Sequence, residues 1–444
     1  MRFAGGPAAM AALAAAVIAI ALQISSGMYD PRALALVTLA VALAVAAAVW
    51  QRRGAVAESP PLAQALLGGG CAWGLATLLF TNPTFYGDAR ALDRGVRWFA
   101  VAGLVVLSAY LCVHLRASLV RARFLLLLAC FAVMGIAVIR ASPRPWTDVW
   151  VIQQGAAEAL LHGSNPYSVT YPDIYGSLSK QWYASELLVS GRVAAFPYPP
   201  LSVLLELPFF ALFGDVRYAM LVSMLAAAWL LAKLGVAGEL AGLFVLFQPR
   251  TLFVLEQSWT EPLVLALFAL ALLASIRFRS AALAGIAIGL VAASKQYSPF
   301  LVVPLAFGLP GEMRRKALLL AAAVAAAVLL PFALWDFQGF VRGVLRMQLV
   351  QPFRPDGLSL LSLWARLTGG GSNALAISGF LAGIAVLAAV LRREAGAAQV
   401  ALAAAAAWLA VLLFSKQSFC NHYWLCTGLL CASVAGRWPS KESG

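Results

Sequence analysis

The residues best suited to chemistry stand in a long polar stretch, Arg144 to Pro208, within an otherwise apolar chain. This stretch carries an acid, Asp148, a few residues beyond a hydrophobic run. A carboxylate at the edge of a bilayer can act as a general base, because it can take the proton of a hydroxyl group as that group attacks. The alternative is structural: Asp148 is then an interfacial carboxylate that pairs with Arg144 or Arg140.

Basic residues that could hold a phosphate stand further along the chain. Lys295 and Lys416 each follow an apolar helix and each precede a glutamine. A lysine at such a place can bind a phosphate as a point charge. Arg354, in the sequence QPFRPD, can bind the same phosphate through two parallel hydrogen bonds. The alternative for the lysines is snorkelling to lipid headgroups, which is common at helix ends. We predict that at least one of the three residues binds phosphate.

The segment EQSWTEP places two acids, Glu256 and Glu261, inside an apolar run. Acids there are costly unless they are paired or face a cavity. Two interpretations stay open: a buried pair with a nearby Arg or Lys, or contact with sugar hydroxyls or a metal. Substrate contacts are predicted for a set of polar side chains, namely Glu256, Gln257, Glu261, Gln296, Gln417, Asn165, Tyr167 and Tyr198.

No residue pattern indicates a cofactor. The six cysteines lie in or beside apolar runs without a CxxC spacing, and His162 and His422 stand alone. We interpret the cysteines as small buried apolar side chains. Ligand spacing therefore gives no support to a divalent metal site, although metal dependence stays open.

The elements that position these residues must be membrane helices. The chain is 62% hydrophobic and 11% charged, whereas a soluble domain is about a quarter charged. Its apolar runs approach the ~20 residues that span a bilayer, and only helices satisfy the backbone there. The net charge of +14 lies mostly in short loops. That pattern favours anionic lipid headgroups, and not nucleic acid, as the partner of the basic residues.

Loop charges predict a bundle of about 14 transmembrane helices with both termini cytoplasmic. Residues 141–198 then form a large external loop. The helix that opens at Tyr198 crosses the membrane, so that Asp215 and Arg217 are cytoplasmic. A short or broken helix near 237–249 follows, and the next long apolar run covers about 251 to 276. The alternative is that the positive-inside rule fails at Arg277.

This topology brings the polar features together. They were assigned to no side in advance, yet the loop charges place all of them outside: Asp148, Glu256, Glu261, Lys295, residues 342–356 and Lys416. Polar groups that gather at one face of an apolar bundle predict a cavity at that face.

The order of motifs resembles a known superfamily. An acid follows an outward helix, a short amphipathic helix ends in the GSNPY sequence of Gly163 to Tyr167, and YPPL at Tyr198 opens the returning helix. This order is similar to the GT-C superfamily of integral-membrane glycosyltransferases, which use polyprenyl-phosphate sugars. Within it, the chain most resembles the polyprenyl-phosphate-mannose-type transferases of actinobacteria. The resemblance covers about Phe124 to Leu309 well and the C-terminal third loosely.

The resemblance implies a GT-C-like bundle with short juxtamembrane helices in the external loop, and Asp148 as the catalytic base. It implies sugar transfer, with inversion, from a polyprenyl-phosphate donor to a glycolipid or polysaccharide hydroxyl, outside the cytoplasmic membrane of a bacterium. One departure is that the acid follows about the fifth helix, so that the first four are additional; another is that TDVW holds a single acid.

Three parts follow from the resemblance. Residues 1–120 hold the additional helices, residues 121–335 hold the catalytic module, and residues 336–444 hold a second external loop and the last helices. A membrane transporter or lipid flippase with a one-sided polar cavity is the alternative function.

Overall fold

The computed structural model describes residues 6–53, 60–112 and 117–436. About 75% of the chain is helical, and the protein is an all-α polytopic membrane protein. Both termini, which were predicted to be cytoplasmic, lie outside the described residues. The helices are α1 (Gly6–Ser25), α2 (Pro31–Arg52), α3 (Pro60–Phe80), α4 (Ala89–Leu92), α5 (Trp98–Cys112), α6 (Ala117–Ala141), α7 (Asp148–Leu161), α8 (Leu201–Phe213), α9 (Arg217–Ala232), α10 (Gly238–Phe247), α11 (Thr251–Glu256), α12 (Glu261–Leu272), α13 (Ala281–Ala292), α14 (Pro299–Gly308), α15 (Gly311–Trp335), α16 (Phe337–Val341), α17 (Met347–Val350), α18 (Leu360–Thr368), α19 (Asn373–Val390), α20 (Ala397–Leu413) and α21 (Cys420–Ala435).

Within the described residues, six helices are long and apolar enough to cross a membrane: α1, α2, α3, α6, α15 and α19. The pair α8–α9 adds a seventh if it forms one span. Shorter apolar helices, α10, α13, α14 and α20, complete the bundle. The predicted number of about 14 crossings stays a prediction, because length and composition decide it only for the long helices.

The N-terminal helices are an integral part of the bundle. Helix α1 packs along α2 and α21, α2 packs along α20, and α3 packs along α10. Small residues permit the last contact, because a Cβ at Gly74 of α3 would overlap the backbone carbonyl of Phe247 in α10. The first helices therefore stabilise the same core as the last ones, although no role for them was predicted.

A second, smaller core lies at one end of the bundle, which we call the loop end. Helix α7 packs there against α8, beside the three-stranded antiparallel sheet of β1 (Tyr171–Pro172), β2 (Leu188–Val189) and β3 (Arg192–Val193). In this sheet Val193 pairs with both Tyr171 and Leu188. Buried aromatic side chains such as Tyr167 and Phe196 fill the layer. This core holds together the polar loop that carries Asp148.

Two predicted elements differ from the structure. Helix α8 has only 13 residues, and the chain bends by 116° into α9. Arg217, at the bend, donates to the carbonyl of Ile139 at the end of α6 and pairs with Asp215. The side chain of Gln154 in α7 also hydrogen-bonds to the backbone of Gly214 and Val216 at the bend. Asp215 and Arg217 therefore lie at the loop end. The prediction that they lie on the side of the membrane opposite to Asp148 is therefore wrong.

The apolar run from about 251 to 276 forms two helices and not one. Helix α11 ends at Glu256, and α12 begins at Glu261. Ser258, between them, has a φ of +60°, which L residues rarely adopt. Its hydroxyl donates to Gln153 Oε1 over 2.6 Å. The predicted short helix near 237–249 is confirmed as α10.

Candidate active site

A cavity of about 540 Å³ opens at the loop end. Its lining residues come from segments that are far apart in the chain, from Ser26 to His422. Eight of the residues predicted for the site lie on its wall: Asp148, Lys295, Lys416, Arg354, Gln257, Gln296, Gln417 and Tyr198. The structure thus brings the candidate base and all three candidate phosphate ligands to one cavity.

Asp148 is the first residue of α7, and two hydrogen-bond donors orient its carboxylate. Oδ1 accepts the backbone N–H of Val149 over 2.9 Å, and Oδ2 accepts the hydroxyl of Tyr183 over 2.6 Å. Within the described ranges, Asp148 forms no salt bridge, either with Arg140 or with Arg144. Asp148 therefore does not form the interfacial ion pair with Arg140 or Arg144 that was the structural alternative.

Aromatic rings surround this acid. Tyr175 stacks on Trp182 with ring centroids 4.8 Å apart, and Trp146 meets Tyr175 edge-on at 5.5 Å. Burial, followed by the charge of Asp148, raises the pKa of both Tyr175 and Tyr183 well above their ordinary range. These hydroxyls therefore stay protonated. Tyr183 thus remains a hydrogen-bond donor to Asp148.

Arg354 lies across the aromatic wall. Its guanidinium carbon stands 3.4 Å from the Trp182 ring centroid and 4.8 Å from that of Phe419. Asp356 holds the same guanidinium through two hydrogen bonds, of 2.8 and 2.6 Å. Arg354 is thus a stacked, oriented cation whose charge is partly neutralised. Such a planar group can still present further N–H donors to an anion.

Lys416 reaches the cavity from the segment between α20 and α21. Its Nζ donates to the carbonyls of Leu349 and Gln351 over 2.9 and 3.0 Å. Among the described residues it has no carboxylate in salt-bridge distance. Burial lowers the pKa of Lys416 from its ordinary value of 10.5, because desolvation disfavours the charged form. Of the three cations, Lys416 therefore has the most to gain from a bound anion.

Lys295 is the most buried of the three. Its Nζ lies 3.1 Å from Glu261 Oε1 and 4.8 Å from the ring centroid of Tyr198. The hydroxyl of Tyr297 donates to the same Glu261 oxygen over 3.1 Å. Of the two interpretations left open for Glu261, the buried pair is the one observed, and Glu261 does not line the cavity.

The glutamines of the cavity wall differ in how free they are. Gln296 donates through Nε2 to the carbonyls of Pro197 and Val344, so that it joins the polar loop to the segment after α16. Gln257 lies 3.5 Å from Glu256 through Nε2 and Oε2. Gln417 lines the cavity beside Lys416. Gln296 thus has a structural role in addition to its predicted substrate contact.

Besides Glu261, three further residues predicted to touch substrate do not line the cavity: Glu256, Asn165 and Tyr167. Glu256 accepts the backbone N–H groups of Phe85 and Tyr86 over 2.7 and 2.9 Å. Asn165 Oδ1 accepts the N–H of Tyr167, whose hydroxyl donates to the Tyr198 carbonyl over 2.6 Å. Glu256 therefore fixes a loop, and the NPY motif fixes the YPPL segment. Their predicted substrate contacts stay predictions.

The cavity also contains residues that sequence reasoning missed. They come from the N-terminal loops, the aromatic wall and the last helices: Ser26, Met28, Phe85, Tyr86, Trp146, Tyr175, Trp182, Tyr297, Trp408, Asn421 and His422. The density of aromatic residues between Trp146 and Trp182 was a signal that could have found part of this wall. No pattern pointed to the N-terminal loops. Within the described residues, no three His, Cys, Asp or Glu side chains cluster in a way that could hold a metal ion.

Fold and cavity together define a multi-pass membrane protein with an open cavity, whose described lining includes the carboxylate of Asp148 and the cations of Lys295, Arg354 and Lys416. The sequence model of glycosyltransferase family 87 matches residues 196–415. Family 87 is a family of GT-C-type membrane glycosyltransferases, and the match supports a glycosyltransferase of the GT-C superfamily.

The matched segment holds Lys295 and Arg354, ends one residue before Lys416, and begins after Asp148. Searches of the curated proteins and of the solved structures found no match.

Proposed function

We propose that the protein transfers a sugar from a polyprenyl-phosphate donor to a hydroxyl of a glycolipid or polysaccharide, with inversion at the anomeric carbon. The observation that carries this proposal is the shared cavity of Asp148, Lys416, Arg354 and Lys295. A carboxylate can accept the proton of an attacking hydroxyl, and cations can stabilise a departing phosphate. The donor is a hexosyl or pentosyl phosphate lipid.

Asp148 acts as the general base. The hydrogen bonds from Tyr183 and from the N–H of Val149 orient the carboxylate, and its remaining lone pairs can accept the acceptor hydroxyl. The acceptor oxygen forms a bond to the anomeric carbon, and its proton passes to Asp148. The bond between that carbon and the phosphate oxygen breaks, and the electron pair leaves with polyprenyl phosphate.

The cations hold the donor phosphate. Lys416 lacks a carboxylate partner among the described residues, and Arg354 is held flat on Trp182, so these two are the principal ligands. Their positive charge stabilises the negative charge that develops on the leaving phosphate, so no protonation of that group is needed. Lys295, which is paired with Glu261 and lies over the Tyr198 ring, is the third phosphate ligand.

The lipid of the donor places the reaction at a membrane surface. The loop end would face the outside of a bacterial cytoplasmic membrane, where lipid-linked sugars serve cell-envelope synthesis. Exposed apolar side chains lie close to Lys416 at this end, since Leu349, whose carbonyl binds Lys416, is 79% exposed. This arrangement suits a donor whose phosphate and lipid tail are adjacent.

The test is sugar transfer in membranes from a panel of radiolabelled polyprenyl-phosphate sugars. We expect the unaltered protein to use at least one donor, and Asp148→Asn to lower the transfer rate by roughly 10²- to 10⁴-fold, the usual effect of losing a general base. The matched control is Asp93→Asn, since Asp93 is a half-exposed acid that pairs with Arg97 away from the cavity.

Two outcomes would overturn the proposal. Equal transfer by the unaltered protein and by Asp148→Asn would remove Asp148 from the mechanism. Movement of the labelled lipid between leaflets, without transfer of its sugar to any acceptor, would favour the transporter alternative.

A further inference from the structure

The turn between α1 and α2 reaches the wall of the cavity. Ser26 and Met28, on either side of Gly27, both line it. Residues 26–29 precede the matched family segment by more than 160 residues. They connect α1 and α2, two helices for which no role was predicted. Their place in the site therefore calls for a function of their own.

Gly27 passes directly over the start of α21. Its φ is +79°, and a Cβ at this position would overlap the backbone nitrogen of Cys420. Phe419 and Asn421, the neighbours of Cys420, both line the cavity. Only glycine permits this approach, because any side chain would push the turn and the start of α21 apart.

Tyr29 ties the same turn to the segment that carries Arg354. Its backbone N–H donates to the carbonyl of Asp356 over 2.8 Å, and Met28 forms a β-bridge with Gly357. The Tyr29 ring lies under the guanidinium of Arg366, 4.2 Å from its central carbon. Asp356 is also the residue whose carboxylate holds Arg354. The turn is therefore bonded to the segment that orients this cation.

We propose that the turn Ser26–Tyr29 is a positioning element for donor binding, with Gly27 and Tyr29 as its positioning residues. It contacts the segment Arg354–Gly357 on one side and the start of α21 on the other, and so stabilises the direct pairing of the two segments, in which the Arg354 N–H donates to the Lys416 carbonyl over 3.2 Å. The inference rests on the proposed function for its kinetic consequence. Its structural consequence is independent of that function, since the contacts exist without substrate.

The experiment uses the full chain in lipid nanodiscs and compares Gly27→Ala with Gly369→Ala. Gly369 has a φ of +82° but no atom within 4 Å of an added Cβ, so it controls for backbone strain without a clash. In Gly27→Ala we expect faster hydrogen exchange at residues 354–358 and a KM for the lipid-phosphate donor raised roughly tenfold to a hundredfold, with acceptor KM unchanged. Gly369→Ala should change neither.

A second pair of variants applies if Gly27→Ala fails to fold. Tyr29→Phe keeps the ring beneath Arg366 and should behave like the unaltered protein. Tyr29→Leu removes the ring and should raise both the donor KM and the exchange of residues 354–358.

Equal exchange and equal donor KM in Tyr29→Leu and Tyr29→Phe would overturn the inference, as would a change in acceptor KM alone. If the unaltered protein transfers no sugar, the proposed function fails. The exchange rates then decide the inference by themselves.

Discussion

The buried pair of Lys295 and Glu261 separates structural from functional roles in this site. Lys295 is 8% exposed, Glu261 is fully buried, and their charged atoms are 3.1 Å apart. At an effective dielectric constant of about 20, two unit charges at this distance attract by about 5 kcal/mol. Much of this attraction offsets the desolvation of both groups, so that the pair adds little net stability. Removing one partner alone is the costly change, because it leaves the other charge buried.

We therefore expect Glu261→Gln and Lys295→Met each to lower the free energy of unfolding by about 3–5 kcal/mol. The double variant, which buries no unpaired charge, should be more stable than either single variant. Denaturant titration in mixed micelles, followed by Trp fluorescence, measures these values. The control pair is Arg279 and Glu312, whose side chains are 62% and 68% exposed; breaking it should cost at most about 1 kcal/mol.

The same variants carry a functional test. If Lys295 contributes to phosphate binding, the double variant folds but has a raised donor KM. The reasoning fails if Glu261→Gln costs no more than breaking the exposed pair. It also fails if the cost of the double variant equals the sum of the two single costs, because the charges are then not coupled.

Three further predictions concern the base, the bundle and the pH dependence. Tyr183→Phe should lower the transfer rate roughly tenfold, less than Asp148→Asn does, because a hydrogen bond to a charged group contributes about 1.5–3 kcal/mol; an unchanged rate would contradict an orienting role. Gly74→Ala should lower the yield of folded protein in a detergent-solubility assay. The control Gly69→Ala, with no atom within 4 Å of its Cβ, should leave the yield unchanged. Equal yields would argue against the close contact of α3 with α10. Burial lowers the pKa of Lys416 from its ordinary value of 10.5, so the lysine is charged at low pH and loses its charge as the pH rises toward 10.5. The donor KM should therefore rise at alkaline pH. Lys416→Arg, whose guanidinium stays charged, should abolish that rise.

Hydropathy and loop charges predicted the general architecture because both have direct physical causes. Apolar runs must be helical in lipid, and the helices α1, α2 and α15 lie where the runs predicted them. Local turn chemistry was also readable: Gly163, expected just past the end of α7, has a φ of +75° there, as a C-terminal cap requires.

The errors have a common origin in pairing that composition does not show. Arg217 was taken for a cytoplasmic loop charge, yet it is buried between Asp215 and the carbonyl of Ile139. A neutralised, buried arginine gives no information about the side of the membrane. The break at Ser258 was hidden for a similar reason, since the acids of that segment are satisfied by partners distant in sequence.

The candidate site was predictable only in part. Polar residues at helix ends could be found, because a charge beside an apolar run stands out. The aromatic wall and the turn Ser26–Tyr29 could not, because their place follows from tertiary contacts such as the hydrogen bond between Tyr29 and Asp356. The sequence therefore located the charges of the cavity better than the surface that encloses them.

The wall of the cavity includes residues from the turn after α1, at Ser26, to α21, at His422. During synthesis the N-terminal hairpin emerges long before α21, so it must wait in the membrane for its partner. The described cavity is complete only once α21 has packed against this hairpin. A nascent chain without α21 lacks Asn421 and His422, two residues of the cavity wall.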